Sequence, residues 1–243
     1  MNAIIFSKRT TKEILRDPLT LFFGLGFPVI LLILLSAIQK NVPVSLFEIT
    51  SLAPAMTIFG LSFMTLFASL LISKDRESSL LQRLYTTPLK PVDFIIGYTI
   101  PLLVMAILQA TICLFFSLIL GLKLTLGILY AILAIIPSSI FFISLGLLFG
   151  SILTSKQVGG ICGALLTNLT AWLSGIWFDL DLVGGLFKKI AFILPFYHGV
   201  EIEKALYSLN FSGLTTHFIF VIGYALVFLL LSIFFFLRQM NKN

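Results

Sequence analysis

SKDRESSLLQRLYTTPLKP, residues 73–91, is the longest charged island lying between two long apolar runs of this chain. It holds Lys74, Asp75, Arg76, Glu77, Arg83 and Lys90, with Asp93 just beyond. The whole chain of 243 residues has only 16 basic and 10 acidic side chains. Apolar runs of bilayer length on both sides of it predict a loop joining two membrane-spanning helices.

Composition supports that reading. The chain is 59% hydrophobic and 11% charged, where a soluble domain carries about 25% charge, and its mean hydropathy is +1.11. The net charge of +6 fits basic loops beside anionic lipid better than nucleic acid. No polar stretch is long enough for a second domain, so residues 1–243 read as a single membrane domain. Cys113 and Cys162 both fall inside apolar runs, which argues against a disulfide framework.

Outward from the island, six apolar runs predict six helical spans: 19–38, 49–72, 94–122, 124–153, 158–178 and 218–237. They are continuously apolar, without the period-two alternation of a membrane barrel, so the fold class is an all-α membrane bundle. Residues 1–18 set Ile4, Ile5, Ile14 and Leu15 among Lys8, Arg9, Lys12 and Arg16, which predicts an amphipathic helix on the membrane surface. An ordinary basic lead-in to the first span is the alternative. A cleaved signal is disfavoured by Asp17, by the full-length span and by the lack of a small-residue cleavage site. Residues 179–213 are half apolar and predict short outer helices, either re-entrant or lying at the interface.

With six spans, both termini share a side. That side carries eleven basic residues, from Lys8, Arg9, Lys12 and Arg16 through the island and Lys156 to Arg238 and Lys242. The other carries Lys40, Lys123, Lys188, Lys189 and Lys204. The excess predicts a multi-pass cell-membrane protein with cytoplasmic termini and a cytoplasmic island.

The absences narrow the function. There is no G-x-x-x-x-G-K-[ST] phosphate loop, so the chain has no such ATP motor of its own. No Asp, Glu, Lys or Arg falls well inside a predicted span, which disfavours ion-driven carriage. His198 and His217 have no partner at metal-ligand spacing and read as interfacial residues. The scattered Asp179, Asp181, Glu201 and Glu203 are the only candidates for a lipid-modifying centre. The island is therefore a handle by which another protein could work the embedded remainder. From Ser73 to Tyr85 it suits a short helix capped by Ser73 and stopped by Pro88, with Asp75 and Glu77 in the first turn. Leu80, Leu81 and Leu84 share one face with Glu77; Arg76, Ser79, Gln82 and Arg83 share the other.

Two glycine pairs permit close helix approach, Gly146-x-x-x-Gly150 in the fourth span and Gly159-x-x-x-Gly163 in the fifth. Packing within one subunit and contact between two copies are both open readings. For a cargo path, Phe59, Phe63 and Phe67 recur every four residues on span two, and Asn168 and Trp172 on span five. An aromatic wall with few amides suits an apolar or amphipathic compound; ordinary packing is the alternative for each. Gln109 and Asn168, as membrane amides, need hydrogen-bond partners.

The stretch D-R-E-x-S-L-L-Q-R-L-Y-T-T-P-L, residues 75–89, resembles the cytoplasmic signature of ABC transporter type-2 permeases, close to E-R-E-x-G-T-L-E-R-L-x-x-T-P. Ser79, Leu80 and Gln82 depart from it. R-D-P at 16–18 followed by Pro28, and L-P-F-Y-H-G-V-E at 194–201, resemble the start of that family and its outer segment. The resemblance implies the membrane subunit of an exporter, with residues 1–18 as a connecting helix and residues 73–91 as a coupling loop seated in a separate ATPase. It assigns Asp75, Arg76, Glu77 and Arg83 to that docking. It implies ATP and magnesium in the partner and no cofactor or catalytic residue in this chain. It also implies pairing with a second permease, through Gly159 and Gly163 if span five lies near the axis. The expected cargo is a drug, antibiotic or peptide toxin. The alternatives are a lipid-linked glycan, or an enzyme or assembly factor that works without ATP.

Overall fold

The computed structural model describes residues 2–42, 47–78, 80–85 and 91–240. All regular structure among them is helical. Helix α1, Asn2–Arg16, buries Phe6, Thr10 and Ile14 and leaves Lys8, Lys12 and Arg16 exposed. Asp17 ends it and starts the next helix: its carboxylate accepts from the Leu19 and Thr20 amides, and Pro18 fills the first helical position, where no amide is needed. The first long helix, α2, is Pro18–Gln39. It widens into a π stretch at Phe22–Gly26, just before Pro28, which has no N–H to give the preceding turn.

Helix α3, Ile49–Glu77, is the hub, buried on nearly all sides along its length. The short α4, Leu80–Tyr85, follows it. Then come α5, Pro91–Ile119, and α6, Leu126–Ile152. Among the described residues, five helices are long and apolar enough to cross a membrane: α2, α3, α5, α6 and the C-terminal α11, Leu214–Met240.

The stretch read from sequence as a fifth span is a less regular helix. Here α7 covers 155–173 in three pieces, Ser155–Val158, a π stretch Gly159–Leu166, and Thr167–Leu173. It runs antiparallel along α3, with Ser155 against Glu77, Cys162 against Ser69, and Trp177 just past its end against Phe59. Those contacts cover about 27 Å of helix axis. Both described chain ends lie at one end of the bundle. Arg9 of α1 reaches Asp75, and Gln239 of α11 donates to the Ser151 carbonyl that Arg76 also holds.

Three helices occupy the region between α7 and α11: α8 (Leu180–Val183), α9 (Gly185–Ile193) and α10 (Pro195–Tyr207). Helix α10 begins beside the middle of α6, where Phe196 meets Phe141 and Phe142. It ends at the start of α6, where the Leu206 and Tyr207 carbonyls would stand 2.6 and 2.3 Å from a Cβ on Gly127. Only glycine fits that position.

The main seam joins α3 to α6. A Cβ on Gly146 would lie 2.6 Å from the Thr65 carbonyl oxygen, and one on Gly150 would lie 2.8 Å from that of Ser69. Two hydroxyls bond across it: Thr65 donates to the Phe142 carbonyl at 2.7 Å, and Ser69 Oγ stands 2.9 Å from that of Gly146. Hydroxyl-to-carbonyl bonds of this kind hold helices together where apolar burial alone cannot, because lipid is as apolar as the helices.

Candidate functional site

The island does not form the separate capped helix expected from sequence. Residues Ser73 to Glu77 continue α3, and only Leu80–Tyr85 makes a short helix of its own. The cause is long-range: Asp75, Arg76 and Glu77 in the last turn of α3 each have a partner on another element. Asp75 is 3% exposed. Arg9 grips it through both guanidinium nitrogens, at 2.7 and 2.5 Å, and the Tyr98 hydroxyl of α5 donates to it at 2.6 Å. A bidentate guanidinium–carboxylate pair is among the stronger polar contacts available to a protein. Burial opposes the Arg9 charge, but the Asp75 carboxylate outweighs it and raises the arginine's pKa.

Arg76 turns to the end of α6, donating to the Ser151 carbonyl at 2.6 Å and to that of Leu153. These carbonyls lack helical partners at a C-terminus. Glu77 caps α7: its carboxylate accepts from the Ser155 amide at 2.8 Å and from its hydroxyl at 2.7 Å, where the helix dipole favours an anion. Leu81 is buried and Arg83 is exposed. Pro88, expected to stop the helix, lies outside the described residues, as do Ser79, Lys90 and the side chains of Gln82 and Leu84. One turn of α3 thus touches α1, α5, α6 and α7.

A second feature lies deeper. Phe59 and Phe63 of α3 and Asn168 of α7 line one half-open cavity of about 280 Å³ together with Phe23, Phe27 and Trp177. Phe63 is its aromatic centre, 5.7 Å from both Phe27 and Phe59 and 6.1 Å from Phe23. Asn168 donates from its amide nitrogen to the Ala164 carbonyl at 2.8 Å, and Thr167 is the other polar side chain on the wall. Trp172 is not part of it. That ring is 46% exposed, and Trp177, which periodicity did not single out, takes its place. The cavity is smaller than a whole site for a drug-sized ligand, roughly 300–1,000 Å³. It borders Gly163, on the side where Gly159 and Gly160 have open space beyond them. Gln109, by contrast, serves internal packing. Its amide lies 3.3 Å from Cys113 Sγ, and Gly60 leaves room for it.

At the opposite end of the bundle, Asp179, Asp181, Glu201 and Tyr197 share a cavity of about 300 Å³. Its acids are engaged: Asp179 caps α8, Asp181 pairs with Lys188, and Glu201 lies 3.1 Å from Lys204. No group of three metal-ligating side chains occurs among the described residues. Burial pushes the Tyr197 phenol up to about 12, with the Glu201 charge adding to it.

Two features there escaped the sequence reading. His198 and His217 face each other through Nδ1 at 2.7 Å, while His198 Nε2 lies 2.9 Å from the Phe192 carbonyl. The carbonyl fixes the tautomer: His198 donates from Nε2 and accepts at Nδ1 from His217. Burial lowers the pKa of His198. Glu203 is 1% exposed, its Oε1 has no partner among the described residues, and burial raises its pKa well above the carboxylate range. In the sequence it is one of four scattered outer acids.

A bundle of long apolar helices carrying an interlocked charged turn at one end and a small aromatic cavity fits a membrane transporter domain of permease type. Residues 2–207 match the ABC-2 type transporter family. The match covers most of the chain, and the protein belongs to that family. No curated protein matches it.

Proposed function

We propose that this chain is the membrane subunit of an ATP-driven exporter. A pair of copies works with a pair of separate ATPases and moves a hydrophobic or amphipathic compound outward by alternating access. The ends at which Arg9 and Gln239 lie face the cytoplasm in this reading, with α1 as the surface-lying connecting helix and α8–α10 as an outer re-entrant group.

The observation that carries the proposal is the last turn of α3. Asp75, Arg76 and Glu77 each bind a different helix, so a push on the loop that follows is felt at once by α1, α5, α6 and α7. A docking loop needs this mechanical property if ATP binding in another protein is to move the bundle. The division of labour within the island follows: Asp75, Arg76 and Glu77 transmit, and the exposed Arg83 meets the ATPase. Two copies pairing through the Gly159 and Gly163 face would set two aromatic cavities near a common axis, giving room for a cargo that one cavity cannot hold. The aromatic walls favour a drug, antibiotic or peptide toxin over a glycan headgroup.

Purification of the tagged chain from its own membranes tests the assignment. The expected result is a co-purifying ATPase with a phosphate loop, whose ATP hydrolysis rises with the permease present. Recovery of the chain alone, with no ATP hydrolysis under any membrane condition, would overturn it.

A further inference from the structure

Between α1 and the end of α3 lies a cavity of about 730 Å³ that the transport reading does not use. Its walls carry Lys8, Arg9, Lys12 and Arg16 of α1 and Lys74 of α3, with Glu13 and Asp17 as the only acids. Both acids already have partners. Glu13 pairs with Arg9 at 3.0 Å, and Arg9 in turn is held by Asp75. Asp17 is spent on capping α2, and its bonds to Thr20 hold its pKa low against burial. Lys8, Lys12, Arg16 and Lys74 are left with no carboxylate within ion-pair distance among the described residues.

Lys8, Lys12 and Arg16 follow each other one helical turn apart, a spacing at which like charges repel, and Lys74 faces them from the second helix. In the protein alone this arrangement is unfavourable, and an anion seated among them would relieve it. The surroundings say what kind. Ile5, on the cavity wall, is 63% exposed; Ile4 and Leu15 on the same helix are 59% and 63% exposed, and Leu19 at the start of α2 is 67% exposed. Apolar side chains beside a cationic hollow at the end of a membrane bundle match the level at which acyl chains give way to headgroups.

We propose that this cavity binds a phosphate-bearing group, supplied by the headgroup of an anionic lipid in the adjoining leaflet. The site would fasten α1 to the membrane beside the Arg9–Asp75 junction. It stands independently of the ATPase reading, since it needs only that the bundle lie in a membrane.

Native mass spectrometry of the full-length protein in detergent tests it, with phosphatidylglycerol as probe, phosphatidylcholine as neutral comparison and inorganic phosphate as the soluble source. The result expected is tight retention of phosphatidylglycerol over phosphatidylcholine, weakened about 30-fold in the Lys12→Gln/Lys74→Gln double variant. The Lys12→Arg/Lys74→Arg variant should retain it. Both lysines are exposed and take part in no ion pair among the described residues, so the substitutions leave folding intact; an unchanged melting temperature in neutral detergent checks this. Competition by millimolar inorganic phosphate as strong as that of the lipid would support the phosphate site but transfer it to a soluble ligand. Equal retention of both lipids, or equal phosphatidylglycerol retention by wild type and the glutamine variant, would overturn the proposal. So would a glutamine variant that loses only the co-purifying ATPase, which would make the hollow a protein contact.

Discussion

The chain contains the same small-residue spacing twice, and the two copies meet opposite fates. Gly146 and Gly150 of α6 press directly on the backbone of α3, with no room for even a methyl group. Gly159 of α7, thirteen residues beyond Gly146 in a helix that also packs on α3, has nothing within 4 Å of where its Cβ would stand; Gly163 has only the tip of Leu66 at 3.5 Å. Spacing alone licenses close approach. The occupant is decided by the third dimension. The first pair closes a subunit, and the second presents an uncovered face, with Gly160, Ala164 and Asn168 also exposed along it.

The comparison can be broken at its closed side first. Gly146→Val should have the largest effect. Its added atoms meet the Thr65 backbone, so a loss of roughly 3 kcal/mol is expected, seen as a collapse of monodisperse yield and melting temperature in detergent. A melting curve like that of wild type would show that the seam is looser than drawn. Next comes Asp75→Ala, which strands the Tyr98 hydroxyl and removes the partner of Arg9. About 2 kcal/mol should be lost, and the Asp75→Ala/Tyr98→Phe double variant should recover part of it. A double-mutant cycle with no coupling would refute the contact.

The His198–His217 pair gives a smaller, pH-dependent loss. The native state holds His198 neutral, with its pKa lowered by burial, whereas the unfolded chain takes up a proton near the ordinary value of about 6.5. The pair's stabilisation is therefore complete above that value and lost as pH falls through the lowered native pKa. His198→Gln should flatten the pH dependence of the melting temperature in that window. An unaltered slope would place the acid sensitivity elsewhere. Least of all in stability should be Gly159→Leu, within about 0.5 kcal/mol of wild type. On the reading proposed above it abolishes pairing and export, read by size-exclusion mass and by efflux. Wild-type efflux from this variant would leave the open face unassigned, and a large stability loss would reverse the comparison itself.

Much of the fold was legible because bilayer-length apolar runs carry their own signal; the bounds of α2, α3, α5, α6 and α11 lie within a few residues of the runs that predict them. Residues 155–173 were harder. Ser155, Lys156, Gln157 and Asn168 dilute that helix, and only its contacts with α3 show that it follows the hub. Misreading Ser73 as a helix cap had a similar cause. Locally, Asp75 and Glu77 look like first-turn acids, while the partners that hold them in a last turn are 66 and 78 residues away. The aromatic stripe at Phe59 and Phe63 was readable from four-residue periodicity. Trp177 was not, because it lies past the end of α7. Glu203 and the histidine pair were invisible for the same reason as the open glycines. Their environment is made by helices that converge only in the folded bundle.

The claim at the centre of this account is that residues 73–91 dock an ATPase, and a photoreactive label at Arg83→Cys tests it most directly. In native membranes the account predicts an ATP-sensitive adduct between this chain and a protein carrying a phosphate loop. Adducts with lipid alone, in membranes that still export, would contradict it.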